Sequence, residues 1–232
     1  LKKLQGSVGR LTDEGEIRPA SLFGIKACYP YFPNRYHARY KGRPSAAEQW
    51  GNPKALRQAI RFQLKYGDPI TPDRVLKAIC ANARTPTNFR PAAAKFIYER
   101  FCKEGDQVWD PCAGFGGRLL GAVAAGVQYY GTDVSPETIA GCGCLAVDLG
   151  VQEMVTVVNS PAENADPPKG CALVFTSPPY FAQERYRGGK QSHTSYTNYQ
   201  DWLDGFLHPL CRRAWDCLVD GGHLALNVAD IR

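Results

Sequence analysis

Apolar residues after Gly105 occur in short runs that alternate with stretches of helical spacing. The runs are 108–109, 128–132, 154–158, 172–175 and 223–228, and the helical stretches are 117–125, 136–149 and 199–218. Alternating strands and helices are typical of a parallel sheet with helices on both faces. The pattern therefore predicts an α/β fold for this part of the chain.

The stretch 199–218 has the clearest helical periodicity. Its apolar residues are Trp202, Leu203, Phe206, Leu207, Leu210, Ala214, Trp215 and Leu218. We expect these side chains in the hydrophobic core rather than around a ligand. Pro209 should kink the helix, because proline lacks the N–H that a helix interior needs.

The first hundred residues are predicted to be mostly helical. The stretches with helix-start signals are 53–66, 72–82 and 91–103. Each has proline at its first helical position, and Thr71 can cap the second. In the first stretch Leu56, Ile60 and Leu64 should share one face.

Residues 29–50 have weak periodicity and interleave aromatic residues with Arg and Lys. Such a segment can place cations on phosphates and rings on bases. It can equally be an irregular arm that packs on the core through its tyrosines. Both interpretations stay open from the sequence.

The composition indicates a globular protein of a reducing compartment. The chain is 44% hydrophobic and 22% charged, which predicts a packed core. It has no apolar run long enough to span a membrane and no signal-peptide pattern, so we expect no membrane partner. Its nine cysteines include no C-x-x-C pair, which argues against a disulfide framework and a zinc ribbon. We expect a cytoplasmic protein without a metal, associated with the nucleoid if it is bacterial or phage-encoded.

Charge divides the chain into two parts. Residues 1–100 hold 19 Lys and Arg against 7 Asp and Glu, whereas residues 101–232 hold 9 against 15. A basic first half suggests a polyanionic partner, most often nucleic acid. We therefore predict a basic N-terminal region over 1–83 that binds DNA and a second domain over 84–232.

The sequence suggests that the chain is part of a longer protein. It begins at Leu1, and its only methionine is Met154. It also stops soon after the last predicted strand. We expect the natural start to be missing and the second domain to be incomplete at its C-terminal end.

A glycine turn follows the first predicted strand, at 110–117, with the sequence Asp-Pro-Cys-Ala-Gly-Phe-Gly-Gly. Glycines let a chain turn tightly and approach a ligand closely. The turn lacks both the G-x-G-x-x-G pattern and the Gly-Lys-Ser/Thr ending of phosphate-binding loops. The second predicted strand ends at Asp133, where an acid can grip a ribose diol. Together these features indicate an adenosine-containing cofactor that is not held through a pyrophosphate.

A rigid corner, Ser177-Pro178-Pro179-Tyr180, follows the predicted strand at 172–175. The two prolines have a fixed φ and no N–H. The corner displays a serine hydroxyl and a carbonyl as hydrogen-bond acceptors, next to a tyrosine that can stack on a planar ring. This combination suits an aromatic amine better than an acid or a phosphate.

The two motifs together resemble those of the exocyclic-amino DNA methyltransferases that use S-adenosyl-L-methionine (AdoMet). The Ser-Pro-Pro-Tyr form is similar to the cytosine-N4 subclass, whereas Asp or Asn in place of Ser177 is usual for adenine N6. Residues 85–89 resemble the family segment that closes over the methionine end of AdoMet. The resemblance covers about residues 84–231 and implies the Rossmann-like sheet of class I methyltransferases, with strand order 3-2-1-4-5 present and two further family strands absent.

The resemblance also implies the site residues. The implied catalytic residues are Ser177, Pro178, Pro179 and Tyr180, and the implied AdoMet contacts are Thr85, Phe89, Asp110, Pro111, Ala113, Gly114, Gly116, Asp133 and Ser160. The family often has an acid near the adenine after the third strand. This chain has residues 159–163 there, so that contact stays open, with Ser160 as the candidate.

The implied reaction is direct methyl transfer from AdoMet to N4 of cytosine in DNA, on a base that is flipped out or single-stranded. A restriction-modification setting is compatible with it. Alternatives are adenine N6, an RNA substrate, and a catalytically idle nucleic-acid-binding module. A small-molecule substrate fits poorly with the basic first half.

Two further segments each have two possible roles. Pro111-Cys112 looks like the nucleophile of cytosine-C5 methylation, but it lies in the cofactor turn, so we expect a small structural residue. Residues 181–200 carry Arg185, Arg187 and Lys190. They are interpreted as a mobile loop that touches the DNA backbone, or else as an ordinary exposed loop.

Overall fold

The computed structural model describes residues 1–18, 22–67, 69–181 and 183–228. The chain forms two compact units. The sheet unit comprises residues 1–32, 88–180 and 188–232, and the helical unit comprises 33–87 and 181–187.

The elements are numbered along the chain. The strands are β1 (Arg10–Leu11), β2 (Ile17–Arg18), β3 (Arg39–Tyr40), β4 (Gln107–Asp110), β5 (Gln128–Asp133), β6 (Val155–Asn159), β7 (Cys171–Thr176), β8 (Glu184–Arg185) and β9 (Leu218–Leu226). The α-helices are α1 (Lys2–Gln5), α2 (Ile25–Cys28), α3 (Ala46–Trp50), α4 (Pro53–Lys65), α5 (Pro72–Ala83), α6 (Pro91–Phe101), α7 (Gly117–Ala125), α8 (Pro136–Leu149), α9 (Ser192–Ser195), α10 (Tyr199–Trp202) and α11 (His208–Cys217). Short 3₁₀ helices cover Tyr29–Tyr31, Pro33–His37, Gln152–Met154 and Ala162–Asn164, and a π-helical turn covers Leu203–Leu207.

The sheet unit is built on five parallel strands in the order β6-β5-β4-β7-β9. This confirms the predicted Rossmann-like order 3-2-1-4-5. Strands β4 to β7 lie within two residues of their predicted bounds. By contrast, β9 begins at Leu218, five residues before the predicted start. The sheet register jumps between the pairs Cys171–Leu218 and Leu173–His223. Gly221 there has φ +77°, so the chain forms a bulge inside the strand at this point.

The helices α7 and α8 have their predicted bounds, and α4, α5 and α6 end within two residues of theirs. The predicted helix 199–218 is instead α10, the π-helical turn and α11. The turn precedes Pro209, which cannot donate an i to i−4 hydrogen bond.

One core prediction was wrong, and one residue of a predicted helix face lies outside the core. Trp215 is 80% exposed, because Leu210, Ala214 and Cys217 form the buried face of α11 and Trp215 points away from it. Leu64 on α4 is 61% exposed, whereas Leu56 and Ile60 pack on the cluster of the helical unit.

The core of the sheet unit includes residues from the beginning of the chain. Leu4, Cys28 and Phe32 are buried in the same cluster as Tyr98 and Tyr129. Lys95 is only 3% exposed. Its Nζ donates to the carbonyl of Ser7 at 2.9 Å and pairs with Glu99. Residues 1–32 therefore belong with the sheet, which differs from the predicted division at residue 83.

The helical unit has a small core. Helices α3, α4 and α5 surround Ala46, Ala59, Val75, Ile79 and Ala83. Strand β3 pairs antiparallel with β8, so that part of the loop after the Ser177–Tyr180 corner is a strand of this unit. The unit holds 13 Lys and Arg against 4 Asp and Glu, whereas the sheet unit holds 15 against 18.

Over the described ranges, no helix is long and apolar enough to cross a membrane. The same ranges contain no group of three or more His, Cys, Asp or Glu side chains placed to hold a metal ion.

Candidate active site

The glycine turn joins the end of β4 to the start of α7. Gly114 and Gly116 have φ values of +57° and +77°, in the left-handed region that favours glycine. A Cβ atom on Gly116 would lie 2.7 Å from the ring of Phe32. Both the backbone conformation and the packing at position 116 therefore require glycine.

Asn88 ties a distant segment to this turn. Its Nδ2 donates to the carbonyl of Phe115 at 2.7 Å, and its Oδ1 accepts from the N–H of Gly117 at 3.2 Å. A Cβ atom on Gly117 would lie 2.1 Å from the carbonyl oxygen of Phe89. Asn88 lies in the segment 85–89 named from the sequence, but the role of its amide was missed, because nothing in the local pattern shows that it reaches a helix 29 residues further on.

The predicted contacts Thr85 and Phe89 fall in different units, since Thr85 belongs to the helical unit. The ring of Phe89 packs edge-on against Phe175, with 5.3 Å between the centroids. The guanidinium of Arg118 lies 5.9 Å from the centroid of the Phe89 ring.

A buried ion pair fixes the base of the turn. Asp110 is fully buried and accepts hydrogen bonds from Arg118 Nε and from the Tyr129 hydroxyl, each at 2.8 Å. Arg118 also donates to the carbonyl of Cys112. Burial alone would lower the pKa of Arg118, but the charge and hydrogen bond of Asp110 outweigh it and raise that pKa. Asp110 thus shapes the turn from inside the protein.

Thr132 connects the turn to the neighbouring strand. Its hydroxyl donates to the carbonyl of Pro111 at 3.0 Å, and its own carbonyl accepts from the N–H of Ala113 at 2.8 Å. The predicted residues Pro111 and Ala113 are therefore held by backbone contacts to the end of β5.

Asp133 ends β5 beside the turn. Its two carboxylate oxygens accept from the N–H of Gly114 at 3.0 Å and from the N–H of Ser135 at 2.9 Å. Burial raises the pKa of Asp133, and these backbone hydrogen bonds partly oppose the rise. The carbonyl of Asp133 accepts from the N–H of Ser160 at 3.1 Å, which places the predicted residue Ser160 at the same edge.

The Ser177–Tyr180 corner follows β7 directly and is closed by Asn227. Asn227 Nδ2 donates to Ser177 Oγ at 2.9 Å and to the Tyr180 hydroxyl at 3.1 Å. The two hydroxyl oxygens lie 3.2 Å apart. The backbone N–H of Asn227 donates to the carbonyl of Thr176 at 2.9 Å, which anchors the amide at the end of the sheet.

This network controls the serine hydroxyl. A hydroxyl has one hydrogen and two acceptor lone pairs. When Asn227 occupies one lone pair and the hydrogen points to Tyr180, one lone pair of Ser177 is left to accept from a ligand. Sequence reasoning missed Asn227, because its partner Ser177 is 50 residues away and only the pairing of β7 with β9 brings them together.

Cys112 is not activated as a nucleophile. Burial, and then the carboxylates of Asp133 and Asp110, raise the pKa of its thiol. The thiolate is the nucleophilic form of cysteine, so a protonated thiol fits the expected structural role.

The loop predicted to touch the DNA backbone is divided between the units. Arg185 lies in β8 of the helical unit, opposite Arg39. Gly188 and Gly189 begin the part in the sheet unit, where a Cβ atom on Gly189 would lie 2.0 Å from the carbonyl oxygen of Val134. These adjacent glycines let the chain pass close to the residue that follows Asp133.

No family model matches the chain, and no curated protein matches it. Solved structures do match it. They include a SAM-dependent methyltransferase from Geobacter sulfurreducens in complex with S-adenosyl-L-homocysteine (18% identity, 58% of this chain and 47% of that chain, TM-score 0.43), a SAM-dependent O-methyltransferase from Thermotoga maritima (17%, 63% and 47%, 0.45) and TrmN from Thermus thermophilus (15%, 68% and 57%, 0.46). The chain thus spans about half the length of these proteins. At such identities and TM-scores, its function has to be inferred from its own site residues.

Proposed function

We propose that this chain is an AdoMet-dependent methyltransferase that acts on the exocyclic amine of a nucleic-acid base, with N4 of cytosine in DNA as the favoured target. The observation that carries the proposal is the Ser177–Tyr180 corner with its hydroxyls held by Asn227. The corner follows β7, the glycine turn follows β4 and Asp133 ends β5. These strands are neighbours in one parallel sheet, and α/β sheets bind ligands beyond the carboxyl ends of their strands.

The turn suits a cofactor that is not held through phosphate groups. Residues 110–117 contain no Lys or Arg, and the guanidinium of Arg118 is paired with Asp110 in the interior. Asp133 keeps acceptor lone pairs after its two backbone hydrogen bonds, so it can accept the two hydroxyl hydrogens of a ribose. We assign Gly114, Gly116 and Asp133 to AdoMet first. The remaining predicted contacts are Thr85, Phe89, Pro111, Ala113 and Ser160. Asp110, also predicted, would act through the shape of the turn, because its buried carboxylate is bonded to Arg118 and Tyr129.

The proposed chemistry depends on positioning. The free lone pair of Ser177 Oγ accepts one amine hydrogen, and the carbonyl of Pro178 accepts the other. Both bonds favour a pyramidal nitrogen whose lone pair is available for attack, which lowers the barrier without a general base. Pro178 and Pro179 keep the acceptors rigid, and Tyr180 offers its ring to a flipped or unpaired base. AdoMet supplies an electrophilic methyl group, and its carbon–sulfur electron pair stays on sulfur while the amine loses one proton to water.

The favoured base rests on Ser177, since serine in this position is typical of the cytosine-N4 subclass. Adenine N6 is the next candidate, because it is also an aromatic amine with two hydrogens. RNA is a further candidate substrate. The complete hydrogen-bond network of the corner argues against an idle binding module, which would have no need to orient Ser177.

The direct test uses methyl-labelled AdoMet with unmodified duplex DNA, single-stranded DNA and RNA. The products are digested to nucleosides, and the labelled nucleoside is identified by mass spectrometry. We expect N4-methylcytosine from DNA. Labelled N6-methyladenine alone would refute the base, label in RNA alone would refute DNA, and absence of label in a protein that binds AdoMet would refute catalysis.

A further inference from the structure

A pocket of about 310 Å³ lies wholly within the helical unit. It is lined by Arg43, Pro44, Gln49, Asn52, Lys54, Ala55, Gln58 and Asn82. No carboxylate lines it, and two of its side chains are cationic. The residues come from the segment before α3, from α3 itself, from the start of α4 and from the end of α5.

Some of these polar groups are used up in building the pocket. Gln49 is 8% exposed, its Oε1 accepts from Asn82 Nδ2 at 3.0 Å, and its Nε2 donates to the carbonyl of Pro44 at 3.2 Å. Asn52 Oδ1 accepts from the backbone N–H of Lys54 at 2.9 Å, so the first amides of α4 are already capped. Gln49 and Asn52 therefore hold the wall rather than a ligand.

Other groups stay available to a ligand. Over the described residues, neither the Lys54 ammonium nor the Gln58 carboxamide has a hydrogen-bond or ion-pair partner. Arg43 makes one long hydrogen bond, from its guanidinium to the carbonyl of Asn82 at 3.4 Å. The pocket thus presents two cations beside a neutral amide that can both donate and accept.

This chemistry fits one nucleotide of an unpaired strand. The cations suit a phosphate, which is the group that supplies most nucleic-acid affinity. The Gln58 amide suits the donor and acceptor edge of a base or a sugar hydroxyl. The volume is at the lower end of the range of ligand pockets, about 300–1,000 Å³, which leaves room for a nucleotide but not for a duplex.

We infer that the Arg43–Lys54–Gln58 pocket binds one phosphate and its attached nucleoside in a single-stranded segment of the nucleic-acid substrate. This inference rests on the proposed function for the identity of the substrate. It adds a contact that neither the Ser177–Tyr180 corner nor the glycine turn provides.

The test measures binding of fluorescein-labelled single-stranded DNA, single-stranded RNA and duplex DNA by anisotropy across a salt series, without AdoMet. The pocket variant is Arg43→Gln/Lys54→Gln. The matched control, Arg61→Gln/Lys65→Gln, removes the same charge from exposed positions of α4 outside the pocket. Gln58→Ala removes the amide without a change in charge, and circular dichroism checks that every variant is folded.

We expect the pocket variant to lose about tenfold or more in affinity for single strands, and to lose about 0.7 from the salt slope for one phosphate. The control should lose less than about threefold, and Gln58→Ala should weaken binding without a change in slope. The DNA and RNA arms show which sugar is preferred.

Equal losses in the pocket and control variants would overturn the inference, as would a larger loss on duplex than on single strands. Wild-type protein that binds none of the three nucleic acids would overturn it too. The methyl-transfer assay tests the proposed function separately. If the pocket does not bind nucleic acid, the wild-type protein should still transfer labelled methyl groups.

Discussion

The two units differ in charge balance, with 13 Lys and Arg against 4 Asp and Glu in the helical unit and 15 against 18 in the sheet unit. In the sheet unit Lys95 and Arg118 are 3% and 5% exposed, and each is paired with a carboxylate. In the helical unit eleven of 13 Lys and Arg are exposed. The sheet unit also exposes ten of its Lys and Arg, and the helical unit buries Arg35, so what marks the sheet unit is the burial of Lys95 and Arg118 against carboxylates. The number of Lys and Arg in a unit does not show which of them support the fold and which face solvent. Their burial and their ion-pair partners do show it.

The two cores differ as well. The sheet unit packs large side chains such as Trp109, Tyr98 and Phe175, whereas the cluster of the helical unit is mostly alanine with Val75 and Ile79. The backbone of the sheet unit is therefore tightly packed around the glycine turn, which suits a site that has to hold reacting groups in fixed positions. The helical unit offers surface, which suits binding.

The largest effect should come from the buried ion pair. Arg118→Met leaves the Asp110 carboxylate buried without its cation, which should lower the free energy of unfolding by about 3–5 kcal/mol. Lys77→Met breaks the exposed pair with Asp73 in the helical unit and should cost about 0–1 kcal/mol. Urea denaturation measures both, and similar values for the two variants would break the comparison.

Removing the serine hydroxyl should separate chemistry from binding. Ser177→Ala should reduce single-turnover methyl transfer on the order of 100-fold, while the affinities for AdoMet and nucleic acid stay nearly unchanged. In the proposed mechanism the hydroxyl accepts a hydrogen of the amine in the transition state, so its loss slows the chemical step. Full activity in this variant would refute the proposed mechanism.

Asn227 provides the control for that result. If Asn227 acts by orienting Ser177, Asn227→Ala should slow methyl transfer when Ser177 is present. The same substitution should add little further loss to the Ser177→Ala variant. Fully additive losses would mean that Asn227 supports the site in another way.

We expect the carboxylate of Asp133, in the sheet unit, to contribute to the affinity for AdoMet. Asp133→Ala removes the proposed acceptor of the ribose hydroxyls and should weaken binding by about 1.5–3 kcal/mol in calorimetry. Asp148→Ala, which removes an exposed carboxylate of α8 that accepts from the Tyr31 hydroxyl, is the matched control. An unchanged affinity in folded Asp133→Ala protein would rule out this assignment.

Acid should weaken AdoMet binding in the same way. Burial raises the pKa of Asp133, so its carboxyl takes up a proton at a higher pH than an ordinary aspartate does. The protonated group is a poorer acceptor, and affinity should fall as pH drops through this raised value. The Asp133→Asn variant should show a flatter pH profile.

The smallest contrast concerns close packing. Gly117→Ala places a Cβ atom against the Phe89 carbonyl and should lower the free energy of unfolding by about 1–3 kcal/mol. Gly51→Ala in the helical unit meets only ordinary contacts at 3.7 Å or more with φ −73°, so it should be neutral or stabilising by up to about 1 kcal/mol. Equal effects would show that the turn is not held tightly.

Local pattern alone determined most of the architecture. The alternation of apolar runs with helical periodicity predicted the parallel sheet and the bounds of α7 and α8, because burial of one face imposes a regular spacing on the residues. The strand order was implied by the resemblance of the two motifs to a known family. The glycines at 114 and 116 and the prolines at 178 and 179 were also visible in the sequence, since glycine permits a positive φ and proline fixes its φ.

Only the tertiary structure decided which distant residues complete the site. The side-chain amides of Asn88 and Asn227 bond to the glycine turn and to Ser177. These partners depend on how distant segments pack together and not on the spacing of residues along the sequence. The tertiary structure also places residues 1–32 with the sheet and leaves Trp215 exposed to solvent. It pairs β8 with β3 although more than 140 residues separate them in the sequence. These features follow from packing and pairing between distant segments, and no periodicity in the local sequence encodes such contacts.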